Sequence, residues 1–483
     1  MRLSELISSS DCVSNESCDF EIDGIATNAA TVEGTSLFIV ENSEKAPDFT
    51  ALENRPVAVL CDRAIDTDGI PKIIVENARR SSAEIHSRFY RIDYSRLKII
   101  GITGTNGKTT TATIIYEVLR KAGVKAGFIG TGRIETDGKA ENDDYYSMTT
   151  PDPAVLYKTL KKMQQAGCTH IVMEVSSHAL VLDKVAPITF NYGIFTNFSP
   201  EHLDFHNNID SYLEAKKKLL DKSRTCVFNI DDSTLRAVSR EHTGRKITAG
   251  VLYRGDAYAT HVENLGLAGT TYIYQGKNFS FKMRSSLVGM YNVYNTLIAA
   301  AALIDMGIAP CFVKSAIAKI QSPRGRFEII KDELTVIIDY AHTEKAYESF
   351  LREASKIKGK GRLITVFGCG GNRDREKRPK IAKVVEKYSD VIIVTADNSR
   401  DESTERIFDE IICGFESNNY STYPSRKDAI KAAVELATKN DVIAIVGKGA
   451  EKYNIDNNGY HYYSESETVK EALKERRQHA NKA

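Results

Sequence analysis

Gly104-Thr105-Asn106-Gly107-Lys108-Thr109-Thr110-Thr111 is the stretch on which the fold turns. It follows Lys98-Ile99-Ile100-Gly101-Ile102-Thr103, an apolar run that reads as a buried strand. It precedes Ala112-Thr113-Ile114-Ile115-Tyr116-Glu117-Val118-Leu119, whose apolar spacing is helical. Strand, glycine loop and helix N-terminus make a phosphate cradle, because backbone N–H groups turn into the loop and the helix dipole favours anions there. The Lys108 ammonium is expected at the β- and γ-phosphates and the Thr109 hydroxyl on Mg²⁺. The expected ligand is a nucleoside triphosphate. Ile102 stands where the general pattern wants a glycine, which points away from the commonest NTPases and toward a narrower family.

Outward from this loop, apolar runs alternate with helical segments. Ala126–Gly130, residues 170–175, 192–196 and 226–229 read as strands, and residues 153–166 and 208–222 as helices. Such alternation predicts a largely parallel sheet covered by helices. A second alternating block begins near Arg324, with strands at 334–339, 363–367, 391–394 and 442–446, and predicts a doubly wound sheet. Before Lys98 the pattern is weaker and more polar, with strand-like pieces at 36–40 and 57–60. The expected architecture is α/β in three domains: a small one over 1–97, a central P-loop ATPase sheet over 98–323 and a Rossmann-like one over 324–483. Pro323 and Gly325 interrupt both periodicities at the second joint.

Composition narrows the class. Lys and Arg number 65 against 64 Asp and Glu, so no basic excess points to nucleic acid or an anionic membrane. The longest apolar run, 297–304, is too short to span a bilayer, and residues 1–8 lack the pattern of a secretory signal. Eight scattered cysteines without a CxxC pair fit free thiols in a reducing cytoplasm. A cytoplasmic monomer acting on small molecules is expected.

Several strand ends carry chemistry. Glu174 ends a strand pattern, where a carboxylate faces the ligand crevice and can direct a metal. His202 shares a loop with Asp204 and His206 and can ligate a metal through a neutral imidazole. Asn292 and Asn295 share one helix face; they read either as nucleotide contacts or as N-cap chemistry. Asp339, at a strand end, suits a ribose diol. Arg373 and Arg400 follow two further strands and can clamp a carboxylate, while Glu451 can receive an ammonium group. Arginine beside carboxylate is the arrangement expected for an amino acid zwitterion. By charge alone, Lys216-Lys217-Lys218 is a solvated helix face.

The stretches ITGTNGKTTT (102–111), MTTPD (148–152), MEVSSHAL (173–180), FTNFSPEHLDFH (195–206), YLEAKKKLL (212–220), GMYNVYNTL (289–297), GRFE (325–328), DYAHT (339–343), VFGCGGNRDREKRP (366–379), ADNSR (396–400) and GKGAE (447–451) occur in this order. Together they resemble the Mur ligases of peptidoglycan synthesis over four fifths of the chain. The resemblance implies an ATP- and Mg²⁺-dependent ligase and a carbamylated Lys216. It implies a metal set of Thr109, Glu174, His202 and modified Lys216, and catalytic roles for Lys108, Glu174, His202 and Lys216. It extends the ATP site from Gly104, Thr105, Asn106, Gly107, Lys108, Thr109 and Thr110 to Asn292, Arg326 and Asp339. Thr149, Thr150, Ser176 and Lys184 would contact a UDP-muramoyl peptide. Arg373, Asp397, Asn398, Ser399, Arg400, Gly447 and Glu451 would bind the incoming amino acid.

In this family, Asp-Asn-Pro-Arg accompanies meso-diaminopimelate, whose distal carboxylate needs an arginine. Asp397-Asn398-Ser399-Arg400 keeps that arginine, so the implied acceptor is meso-diaminopimelate and the donor UDP-N-acetylmuramoyl-L-alanyl-D-glutamate. L-lysine addition, a folylpolyglutamate-type ligase and a non-catalytic nucleotide-binding protein are the alternatives. The chain departs from the family at Asn28-Ala29-Ala30, where an Asp-Ser-Arg is usual, and at Leu182, Lys184 and Ala450.

Overall fold

The computed structural model describes residues 1–7, 12–15, 19–141 and 148–480, the side chains of 14, 15, 203, 204 and 480 excepted. Three main sheets succeed one another along the chain. The first has the spatial order Cys12–Asn15, Lys72–Val75, Ala58–Cys61, Ser36–Ile39, Gly24–Ala26, parallel except for its first strand. Helix Ala78–Phe89 packs Ala78 and Ile85 against Leu37, Ile39 and Leu60.

The second sheet has eleven strands. Seven neighbours run parallel: Ala257–Asn264, Arg245–Gly250, Ser223–Asn229, Phe190–Phe195, Lys98–Thr103, His170–Glu174 and Ala126–Gly130. Lys98–Thr103 lies between Phe190–Phe195 and His170–Glu174. Covered on both faces, it has no alternation to show, which is why it reads as one apolar run. Helices Lys108–Lys121 and Met290–Asp305 bury Ile114, Val118, Val293 and Leu297 on one face. Helices Pro153–Gln165 and Ile209–Asp221 bury Leu156, Leu160 and Leu219 on the other. Antiparallel strands extend both edges: Thr270–Gln275 and Ser280–Ser285 on one side, Arg133–Thr136 and Lys139–Ala140 on the other.

The third sheet runs Glu328–Lys331, Thr335–Asp339, Val442–Val446, Leu363–Phe367, Val391–Thr395, Tyr420–Tyr423, parallel after its antiparallel first strand. Helices Glu344–Ile357 and Lys377–Tyr388 cover one face, and Arg426–Leu436 and Glu465–Ala480 the other. A hairpin, Tyr453–Asp456 with Gly459–Tyr462, stands beside it. Among the described residues, no helix is long and apolar enough to cross a membrane. Cys61, Cys168, Cys226 and Cys369 are buried and unpaired with one another.

Candidate active site

The C-terminal ends of Lys98–Thr103, His170–Glu174 and Phe190–Phe195 open on one crevice, as parallel sheets require. Gly104 leaves the first of these at φ +141°, and a Cβ there would come 2.0 Å from Thr196 Oγ1. Only glycine fits so close an approach. Gly107, at φ +83°, begins helix Lys108–Lys121. Lys108 Nζ curls back to donate to the carbonyls of Gly104, at 2.8 Å, and Thr105, at 2.9 Å. Burial lowers its ammonium pKa against the opposing pull of Glu201 and Glu174.

Glu174 is wholly buried and tied to this loop. It accepts from Thr109 Oγ1 at 3.0 Å, Thr131 N at 3.0 Å and Thr131 Oγ1 at 3.2 Å. Thr131 Oγ1 also lies 3.0 Å from Thr149 Oγ1. Thr150 Oγ1 donates to Glu174 O at 2.9 Å, and Ser176 Oγ caps the helix Ser177–Val181. Lys184 stands apart, paired with Asp152 at a second cavity of about 470 Å³ lined by Asn28, Glu41 and Lys45.

The triple lysine is not the solvated face that its charge suggests. Lys216 is 1% exposed, and its Nζ donates to the same Gly104 carbonyl at 3.0 Å. Burial, then the neighbouring Lys108 charge, push its pKa well below the ordinary lysine range. Its Nζ also lies 4.6 Å from the centroid of the Tyr212 ring. His202, at φ +56°, packs its ring near Tyr212 and His178. Burial and the charges of His178, His342 and Lys108 outweigh Glu201 and lower it to about 4, so the ring is neutral at neutral pH. His206 turns away to Ser177 Oγ at 2.9 Å, and the side chain of Asp204 lies outside the described residues.

A cavity of about 520 Å³ runs from the glycine loop to the third sheet, lined by Lys108, Thr149, His202, Asn292, Arg326 and Asp339 among others. Neither asparagine of Met290–Asp305 is its N-cap, which is Gly289. Instead Asn292 Nδ2 donates to Val288 O at 2.8 Å, and Asn295 Nδ2 to Asn292 Oδ1 at 2.9 Å. Arg326 Nη2 reaches Thr109 Oγ1 at 3.3 Å, and its guanidinium stacks 4.4 Å from the Tyr340 ring centroid. Asp339 accepts from Phe327 N at 2.7 Å and Ala341 N at 2.8 Å. Burial raises its pKa, opposed by Arg326.

Among the lining residues that escaped the reading of the sequence are Glu201 and His342. Glu201 Oε1 lies 2.6 Å from His342 Nε2, while His342 Nδ1 lies 3.0 Å from Tyr340 O. Both ring nitrogens thus face oxygens, one of a carboxylate and one of a backbone carbonyl. Burial pushes the Glu201 carboxyl up, but the His342 hydrogen bond and charge outweigh it and hold it below the ordinary range. Glu201 reads as an ordinary acid before His202, and its partner is 141 residues away, so no local signal marks it.

Beyond Tyr340 the third sheet gathers the remaining residues. Asn398 Nδ2 donates to Glu451 Oε2 at 2.9 Å. Arg400, at φ +54°, donates to Gly371 O at 2.7 Å, leaving most of its five N–H groups for another acceptor. Arg373 is exposed on the neighbouring loop. Arg378, wholly buried, ties these loops together through Glu402 at 2.9 Å and Gly370 O at 3.0 Å. Glu402 in turn accepts from Asn372 N at 2.7 Å. Ser399 is half-buried beside Arg400. Gly447 and Asp397 meet at the strand ends: a Cβ on Gly447, whose φ is +123°, would come 2.9 Å from Asp397 Oδ2.

Do these donors suit Mg²⁺? Thr109 and Glu174 supply a hydroxyl and a carboxylate in contact, and His202 a neutral imidazole. Among the described residues no three His, Cys, Asp or Glu side chains form a metal cluster. A sparse, oxygen-rich set suits Mg²⁺, which keeps waters and takes phosphate oxygens. Lys216 fits only with its amine converted to an anion.

The Mur ligase middle domain matches residues 102–303, and the Mur ligase glutamate ligase domain residues 325–449. A UDP-N-acetylmuramoyl-L-alanyl-D-glutamate--2,6-diaminopimelate ligase of Aquifex aeolicus is 37% identical over 461 residues, covering 94% of each chain. Its namesake from Clostridium tetani is 35% identical, covering 95% of this chain and 96% of its own. A solved structure of the same name superposes with a TM-score of 0.64 at 26% identity, over 94% of this chain and 95% of that one. Two domain models matched in order, and relatives above one-third identity along nearly the whole length, establish that this chain belongs to the Mur ligase family.

Proposed function

We propose that the chain joins meso-diaminopimelate to the D-glutamyl carboxylate of UDP-N-acetylmuramoyl-L-alanyl-D-glutamate, using ATP. The observation that carries this reading is the cavity that joins the phosphate loop, from Thr105 to Thr110, to Arg326 and Tyr340. Glu451, which accepts from Asn398, lies within electrostatic reach of Tyr340. The acceptor assignment draws on Arg400 and on the relatives named for 2,6-diaminopimelate. The three expected domains, 1–97, 98–323 and 324–483, would carry the uridine nucleotide, ATP and the amino acid.

The chemistry runs in two displacements. A carboxylate oxygen of the donor attacks the γ-phosphorus and ADP leaves, giving an acyl phosphate. The neutral amine of the acceptor then attacks the acyl carbon, phosphate leaves, and the amine proton is lost. Lys108 exchanges its loop carbonyls for phosphate oxygens, where its charge offsets repulsion between two anions. Asp339 receives a ribose hydroxyl, and Arg326 lies across Thr109 to meet the phosphates. Thr149, Thr150 and Ser176 line the donor side, with Lys184 near the second cavity. Thr109, Glu174, His202 and a carbamylated Lys216 would hold Mg²⁺, which supplies charge neutralisation during phosphoryl transfer. Arg400 clamps the distal carboxylate, Arg373 flanks it, and Asp397, Asn398, Ser399, Gly447 and Glu451 shape the ammonium end.

A panel of amino acids with ATP, Mg²⁺ and donor, scored by product mass, tests the reading. Meso-diaminopimelate should give the tripeptide, and Arg400→Ala should raise its KM by about tenfold or more. Product from lysine alone, or from a folate donor instead, would overturn it.

A further inference from the structure

Lys448 is wholly buried, an unusual fate for an ammonium. It follows strand Val442–Val446 and sends its Nζ into the cluster behind the proposed amino acid pocket. Three acceptors meet its three N–H groups: Asn398 Oδ1 at 2.8 Å, Glu451 Oε2 at 3.4 Å and Asp397 Oδ1 at 3.5 Å. The rings of Tyr453 and Tyr463 close over it, each centroid 5.8 Å away. A charge so enclosed must be paired, and here it is paired by the residues proposed to receive the substrate.

The geometry at Asn398 shows what this pairing does. An amide side chain can turn either way, and only its partners decide which. Asn398 Oδ1 accepts from Lys448 Nζ and from Ile455 N at 3.0 Å. Two donors on the oxygen force Nδ2 toward Glu451, which it meets at 2.9 Å. Lys448 also stands between two carboxylates, Asp397 and Glu451, that would otherwise repel each other. On the far side Arg426 is occupied by Glu465, at 2.6 Å, and by Val446 O, at 2.9 Å. Lys448 is thus the ammonium that serves both carboxylates directly.

We infer that Lys448 is a positioning residue for acceptor selection: it fixes the orientation of the Asn398 amide and holds the Glu451 side chain aimed at the amino acid's ammonium group. It does not touch the acceptor, since no part of it is exposed. This rests on the assignment of Glu451 and Asn398 to the amino acid pocket.

The test is steady-state kinetics with the full chain and whichever diamino acid the wild type uses. That wild-type measurement judges the assignment separately from the role of Lys448. Lys448→Met should raise the acceptor KM by about tenfold or more, with kcat within about threefold and the KM for ATP unchanged. Glu451→Gln should raise the same KM, and the double variant should be no worse than the worse single one, because both changes remove one unit. Asn398→Asp keeps Lys448 paired, so it folds even if the methionine variant does not; it lacks the Nδ2 donor and should raise acceptor KM in the same way. An unchanged acceptor KM in Lys448→Met would overturn the inference, as would strictly additive effects in the double variant. A uniform loss of kcat and of affinity for all three substrates, in both Lys448→Met and Asn398→Asp, would reduce Lys448 to a packing role.

Discussion

Lys216 enters the protein with its charge already compromised. Its amine shares one carbonyl with Lys108, is 1% exposed, and is held well below the ordinary range by burial and by that neighbour. A neutral amine is a nucleophile, and addition of CO₂ makes it an anion that relieves the lysine–lysine repulsion. Carbamylation of Lys216 is therefore expected. With ¹³C-bicarbonate the wild type should show a carbamate carbon resonance that Lys216→Met lacks. The variant should lose about 10²-fold or more in kcat, the scale of a lost charge-stabilising group. No resonance in the wild type, together with activity indifferent to CO₂, would discard the idea. The sequence displays Lys108 and Glu174 openly, because one opens a helix after a glycine loop and the other ends a strand pattern. It hides Lys216 within a run of three lysines. It hides Glu201, His342 and Lys448 as well, whose meaning lies in partners that the fold alone brings together.

Helix Ala78–Phe89 shows how an element carries a pH dependence. His86 lies on its inner face, 1% exposed, with Nδ1 on Ser82 O at 2.7 Å and, among the described residues, no partner for Nε2. Burial lowers its pKa from 6.5 to about 4, despite the Ser82 carbonyl. The unfolded chain binds the extra proton first as pH falls. Stability from the neutral ring is thus complete above pH 6.5 and is lost as pH falls toward about 4. The full span is worth about 3 kcal/mol. Hydrogen-exchange protection of this helix should fall across that window, and His86→Leu should flatten the fall; an unchanged slope in the variant would exclude His86 as the cause. The elements legible in the sequence were those buried on both faces. Lys98–Thr103, Leu363–Phe367 and Val442–Val446 appear as unbroken apolar runs. An edge strand such as Tyr420–Tyr423 was not legible: it has no fully buried residue and shows no clean period.

At the scale of the whole molecule, the third sheet meets the second through few polar contacts. They include Arg326 to Thr109 at 3.3 Å, His342 to Glu201 at 2.6 Å and Asn264 to Glu353 at 2.9 Å. Tyr291 and Val288, at the start of Met290–Asp305, pack into the core of the third sheet and form the apolar part of the joint. Contacts so sparse make relative motion the default, and a reactive acyl phosphate requires that motion to end in a closed cleft. Glu201 is the acid that faces both the His342 of the third sheet and the Lys108 of the phosphate loop. Glu201→Gln preserves the shape and one acceptor but removes the negative charge that His342 Nε2 faces. Amide formation should fall by about tenfold, the scale of a weakened hydrogen bond to a carboxylate across an interface. Released ADP should exceed amide product, because water reaches the acyl phosphate in a cleft that closes less often. A ratio that stays at one would remove Glu201 from closure. Lys108→Ala supplies the contrast: a defect in phosphoryl transfer suppresses ADP and amide together, whereas a defect in closure separates them.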